Sequence, residues 1–301
     1  MISIAFDQSK GKFVGTYNGK VVVQSVKREK VEKRLEAISG EKVSFAEVSE
    51  TAKDRDARFG INARFNFVER LVAMVAAGVQ PSAVITGEGG LGKTYTVLKT
   101  LEAAGYMDRS DLASFEEGVV VSQANSFIQV KGYSTAKGLY RTLYENRESV
   151  IVFDDCDSVL KDPVALNILK GALDSYGKRV ISWNADLRDD DLPRSFAFNG
   201  RVIFISNLPQ SSVDQAIRSR SIMIDLSMTS DQKIDRMEFI AASSQFLPEY
   251  EKVIVKDALS LLRELKNECR ELSLRTLISV SKIRAANGSD WKSMAEYVLT
   301  S

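Results

Sequence analysis

The chain contains no histidine. That absence excludes Ser-His-Asp and Cys-His catalysis and every imidazole metal ligand, so any hydrolysis must run on carboxylates, hydroxyls, lysine, arginine and a bound cation. Cysteine is scarce. Cys156 and Cys269 are too few for a disulfide framework, and neither sits in a CxxC or Cys/His spacing that would bind zinc. Both are expected to be reduced core thiols. No run approaches the ~20 apolar residues of a membrane span, and the opening MISIAFDQSK lacks the basic-then-apolar order of a secretory signal. A soluble, cytoplasmic protein with no membrane partner is the expectation. Excess charge is also missing: 41 Lys and Arg face 40 Asp and Glu, so no global field recruits nucleic acid. One local patch remains, with eight Lys/Arg against three Asp/Glu in residues 1–35, concentrated at Lys27, Arg28, Lys30, Lys33 and Arg34.

What is present is an ordered alternation of elements. Residues 2–6, 12–16 and 20–25 read as short strands separated by turn residues, and a charged helix follows at 27–38, giving a small βββα unit. A polar stretch between Val43 and Asn62 suits a linker, and a helix at 65–77 precedes Pro81. From Ala83 the pattern becomes strand, helix, strand, helix. Apolar strands are expected at Ala83–Thr86, Val119–Ser122, Val150–Asp154, Val202–Ser206 and Ile222–Leu226, with helices near 92–104, 135–146, 163–175 and 213–219. This alternation predicts a three-layer α/β domain around a parallel five-stranded sheet. After Leu226 apolar residues recur at helical spacing through 230–246, 252–268, 273–286 and 290–299. The expected division is therefore a basic unit at 1–45, an α/β domain at 46–228 and a small helical domain at 229–301.

Gly87-Glu88-Gly89-Gly90-Leu91-Gly92-Lys93-Thr94 fits GxxxxGK[ST], after an apolar strand and at the start of a helix. Glycines let the backbone curl until its N–H groups point at phosphate oxygens, and the helix N-terminus adds partial positive charge. Lys93 is placed to reach the β- and γ-phosphates of ATP, Thr94 to ligate Mg²⁺, and Tyr95 to complete the nucleotide-binding run. Val150-Ile151-Val152-Phe153-Asp154-Asp155 is an apolar strand ending in paired carboxylates, with Asp154 facing the cation's water shell and Asp155 the attacking water.

With these two motifs the chain resembles the AAA+ ATPases, a P-loop family, over about residues 60–290. The resemblance implies further roles. Asn207, at the end of Val202–Ser206, is similar to the family's sensor 1. Arg220 or Arg218, on the short helix before the last strand, matches the arginine finger that acts on a neighbouring subunit. Arg275, opening a C-terminal helix, matches sensor 2 on the helical lid. An oligomeric ring, a hexamer by family habit, is implied. One departure stands out: the family's acidic strand usually ends Asp-Glu, and Asp155 is a methylene shorter, which slows turnover or leaves a binding-only switch.

Two segments concern the substrate. Lys131-Gly132-Tyr133, within Ile128–Tyr133, resembles the family's pore loop after the second core strand; its cation and ring suit a base, a phosphate or a polypeptide. Residues 179–184 and 195–200 resemble a hairpin before sensor 1 found in one AAA+ branch, with a tip carrying Asp189, Asp190 and Asp191 beside Arg188 and Arg194. Two readings follow. One is a DNA motor, helicase or helicase loader of phage or mobile-element type, acting in the host cytoplasm if phage-encoded; the other is a protein remodeller or unfoldase.

Overall fold

The structure, a computed structural model, describes residues 2–7, 12–18, 20–25, 28–39, 58–110, 122–174, 177–184 and 192–301. The chain divides into two compact units, Met1–Arg58 and Phe59–Ser301. In the first, strands β1 (Ile2–Asp7), β2 (Lys12–Tyr17) and β3 (Lys20–Ser25) form an antiparallel meander, followed by helix α1 (Arg28–Ser39). Val31 and Leu35, one turn apart on α1, are fully buried. Their approach to β2 depends on Gly15, where a Cβ would stand 2.7 Å from both Val23 and Val31. The opposite face of α1 exposes Lys30, Lys33 and Arg34, while Lys27 lies outside the described residues.

The second unit runs α2 (Ile61–Ala76), β4 (Ser82–Thr86), α3 (Lys93–Ala103), β5 (Met107–Asp108), β6 (Ser126–Lys131), α4 (Ala136–Glu145), β7 (Val150–Asp154), α5 (Asp157–Lys161) and α6 (Pro163–Ala172). It continues through β8 (Val180–Ser182), β9 (Ser195–Ala197), β10 (Arg201–Ser206), α7 (Gln215–Arg220), β11 (Ile222–Asp225), α8 (Ser230–Ala241), α9 (Lys252–Glu264), α10 (Leu274–Ala286) and α11 (Trp291–Thr300). Capping sets several of these starts. Asp162 accepts from Val164 N with Pro163 in the first turn of α6, and Thr229 forms a reciprocal capping box with Gln232 at α8.

Six of the strands form one parallel sheet in the order β11-β4-β10-β7-β6-β5. Among the described residues the sheet thus has six strands where the alternation predicts five. The additional strand is the two-residue edge β5, and the strand paired with β7 is Ser126–Lys131 rather than Val119–Ser122. Val119 to Val121 lie outside the described residues.

Strand alternation sorts the core into two layers. Val150, Val152, Ile203 and Ile205 join the helices α2 and α3 on one face, in a cluster that also takes in buried residues of α8 to α11. Ile151, Phe153, Val202 and Phe204 pack against α4, α6 and α7 on the other. Phe204 is 1% exposed and stacks on Phe153 with ring centroids 5.4 Å apart. Phe204→Ala is therefore expected to cost about 3–5 kcal/mol. Urea unfolding followed by circular dichroism checks this, and a loss near zero would show that the layer collapses to fill the gap. No helix of the described residues is long and apolar enough to cross a membrane.

Candidate active site

Parallel register brings the C-terminal ends of the strands to one level: Thr86 pairs with Ser206 and Asp225, and Asp154 with Ile205 and Lys131. In open α/β sheets ligands bind beyond these ends. The loop 87–92 leaves β4 here and enters α3. Gly87, Gly90 and Gly92 hold φ of +133°, +78° and +95°. A Cβ on Gly87 would lie 2.8 Å from the carbonyl carbon of Leu226, so the close backbone pass admits glycine alone. Gly92 caps α3 without a side-chain hydrogen bond, which leaves the first-turn N–H groups without a capping side chain. Leu91 is buried beneath the loop, while Glu88 and Tyr95 are exposed.

Lys93 folds back under the loop, 5% exposed. Its Nζ donates to Gly87 O (2.6 Å), Glu88 O (2.7 Å) and Asn207 Oδ1 (2.9 Å), which occupies all three ammonium protons. Burial pulls its pKa below the usual lysine value, an effect opposed by the carboxylates of Asp155, Asp154 and Glu88. Asn207 bridges onward, its Nδ2 donating to Asp155 Oδ1 at 2.7 Å. The ammonium can only donate and the carboxylate only accept, so these two partners fix the amide's orientation.

Asp154 is buried at the end of β7. Thr94 Oγ1 donates to its two oxygens at 3.0 and 3.2 Å, and Gln129 Nε2 donates to Oδ2 at 2.8 Å. Gln129 was not among the expected site residues; the signal for it is a lone amide inside the apolar run Ser126–Lys131, in register with Val152 of β7. Asp155 turns out of the strand at φ +55°, with its N–H bonded to Ile205 O at 3.0 Å. Partial burial and the adjacent Asp154 carboxylate raise its pKa, while Lys93 and Arg275 pull it down. A raised carboxylate pKa stabilises the fold at pH below its unfolded value and loses that contribution as pH rises through the folded value. At neutral pH the charged Asp155 thus weighs against the fold, in a backbone region asparagine tolerates better than most residues. Asp155→Asn is expected to raise the melting temperature at pH 7 and to narrow its difference from wild type toward pH 4. A lower melting temperature at pH 7 would show that the bond from Asn207 outweighs both costs.

The C-terminal helices reach this loop directly. Leu274 N donates to Gly90 O at 2.8 Å, and a Cβ on Gly90 would meet Ser273 Cβ at 2.8 Å. Lys233 of α8 pairs with Glu88. Arg275 is exposed in the first turn of α10, near enough for its charge to act on Asp155. Ser273, Lys233 and the buried Arg236 are contacts that only the folded chain reveals, since more than 130 residues separate them from the loop.

Other expected residues are elsewhere. Arg218 and Arg220 lie at the far end of the sheet, where Ser82 Oγ, at the start of β4, donates to Arg220 O at 3.1 Å. Arg218 is exposed and Arg220 half-buried. The expected pore segment begins inside strand β6: Ile128 to Lys131 are the end of the strand itself, with Phe127 buried on one face and Ile128 and Val130 packed on the other, and Gly132-Tyr133 follow it. Gly132 takes φ +83° and Tyr133 is 81% exposed.

The expected hairpin is present as β8 paired antiparallel with β9. Phe196 and Trp183 pack on Tyr140 of α4, whose hydroxyl donates to Pro193 O at 2.7 Å. Arg194 is exposed, and Arg188 with Asp189 to Asp191 lies outside the described residues. Cys156 and Cys269 are free thiols, the first buried and pushed up to about 11 by burial, the second half-buried.

No family model matches the chain. It is 30% identical to an uncharacterized 36.7 kDa protein in the nrdC-mobD intergenic region of Enterobacteria phage T4, across 92% of this chain and 86% of the phage protein.

Proposed function

We propose that this chain, which belongs to the same family as that phage T4 protein, is an ATPase of the AAA+ type that hydrolyses ATP with Mg²⁺ in a ring and acts on DNA. One observation carries the reading: a glycine loop, a buried lysine, a hydroxyl paired with a buried carboxylate and a bridging amide converge at one end of a parallel sheet. The residues fit the ligand. Positive-φ glycines leave the loop without side chains on its turns, and Lys93 is a buried cation held by neutral carbonyls that a phosphate oxygen would replace. Thr94 and Asp154, already paired through the hydroxyl, are the residues that would hold a Mg²⁺ together with ligand and water oxygens. Bound Mg²⁺ supplies charge neutralisation on the phosphates.

The chain's own residues do the rest. Lys93 leaves its carbonyl partners to hold phosphate oxygens, and the N–H groups of Lys93, Thr94 and Tyr95 at the start of α3 add orphan donors. Asp155, held by Asn207, orients water and takes its proton, a role that its raised pKa favours. Arg275 and the Glu88–Lys233 pair tie the state of the loop to the C-terminal helices. Beside Gly92 a cavity of about 690 Å³ opens between α3, α8 and α10, with room for the nucleoside.

DNA is favoured as the substrate by the exposed basic face of α1. Tyr133, exposed beyond β6, favours a polypeptide instead. Host cytoplasm is the place of action in this reading, supported by the similarity to a phage protein. Phosphate release with Mg·ATP, measured with and without single- and double-stranded DNA across a salt series, tests the proposal. Folded protein that takes up no adenine nucleotide at millimolar Mg²⁺ would end the reading; turnover that DNA neither binds nor stimulates would leave the polypeptide reading in its place.

A further inference from the structure

Arg236 of α8 is 7% exposed and has no carboxylate within ion-pair distance among the described residues. Its guanidinium lies 3.6 Å over the ring of Phe65 and 5.4 Å from that of Phe239. Nη1 donates to Asn62 Oδ1 at 2.9 Å, whereas Nε is buried without a hydrogen-bond partner. Burial pushes its pKa down to about 10, with Glu69 opposing, so it remains a cation at neutral pH. A buried cation that keeps an unanswered donor is costly, and an aliphatic side chain would fill this place more cheaply. The same arginine lines the cavity beside Gly92, together with Thr96, Phe239, Ile240 and Leu274. Nη2 stands 3.9 Å from where a Cβ on Gly92 would be, at the last turn of the glycine loop. Nη2 thus lies on the side of the guanidinium next to a mostly apolar space that adjoins the phosphate loop, while Nε is closed off from solvent.

We propose that Arg236 reads the nucleoside half of the ligand, donating from its Nη2 to an acceptor atom of a purine base in this cavity. The proposal rests on the nucleotide reading above. Phe65 keeps the guanidinium plane fixed and Asn62 takes one of its donors, so the remaining edge is pre-oriented before binding. Tripolyphosphate, which carries the phosphates and no base, should be indifferent to this residue.

Titration calorimetry with Mg·ATP and Mg·tripolyphosphate, on wild type, Arg236→Met and Arg236→Lys, separates the cases. Methionine keeps the length without charge; lysine keeps a cation over Phe65 without the N–H edge. Both variants are expected to bind ATP about ten-fold or more weakly, as for a lost charge-assisted hydrogen bond, and tripolyphosphate within about two-fold of wild type. Unchanged ATP affinity in either folded variant overturns the proposal, as does an equal loss for both ligands. Wild type that binds ATP but shows either result leaves the nucleotide reading standing; wild type that binds neither ligand removes both.

Discussion

Lys93→Ala is expected to abolish measurable ATP turnover, a fall of at least ~10³-fold in kcat/KM, and to weaken Mg·ATP binding in the same protein. The argument starts from where the ammonium sits. It is buried against two loop carbonyls and Asn207, all neutral acceptors, so a phosphate oxygen is a better partner than any it holds. Removing it also withdraws the positive charge that most lowers the pKa of Asp155, leaving the proposed base more protonated at neutral pH. The two effects act in the same direction on turnover. Stability is a separate matter, since alanine strands Gly87 O, Glu88 O and Asn207 Oδ1; Lys93→Met fills the space and serves as the control. Circular dichroism must show both variants folded. Phosphate release at the wild-type rate from either one would remove Lys93 from the chemistry.

The glycine loop and the acidic strand end were legible because each is a contiguous run whose chemistry depends on local backbone. The same holds for α1, α3, α6 and α8 to α11, whose apolar periodicity is a local signal, reinforced by caps at α6, α8 and α10. The strand beside β7 departs from the apolar pattern for a physical reason. Gly118-Val119-Val120-Val121 is the more apolar run, yet Ser126–Lys131 is the segment that pairs with β7, with Gln129 turned toward Asp154. A polar residue inside a strand lowers the apolar score while marking the place where the sheet meets the site. Ser273 on Gly90, Lys233 on Glu88 and Arg236 on Phe65 belong to a different class. They depend on how α8 and α10 pack against α2 and α3, and no local pattern encodes that packing.

Arg220→Ala is expected to remove hydrolysis, by ~10³-fold or more, while leaving ATP affinity within about three-fold. Within one chain this residue cannot serve the loop, because it lies at the opposite end of β4, about 13 Å of extended strand away. Its Nη1 bonds to Ala216 O at 3.1 Å on the same helix and its Nε is buried without a partner, so the side chain must leave α7 to reach a neighbour's nucleotide. A cation so placed acts on a nucleotide only across a subunit boundary, which makes the prediction a test of the ring as well as of the residue. Arg218, exposed two residues earlier on the same helix, is the alternative finger, and Arg218→Ala should then carry the loss instead. Mixing decides the direction of action. In a ring of Arg220→Ala and Lys93→Ala subunits, a site with an intact lysine can receive an intact arginine from its neighbour, so random mixing restores about a quarter of wild-type turnover. If the mixture stays as inactive as either variant alone while sedimenting as one assembly, the arginine does not act in trans.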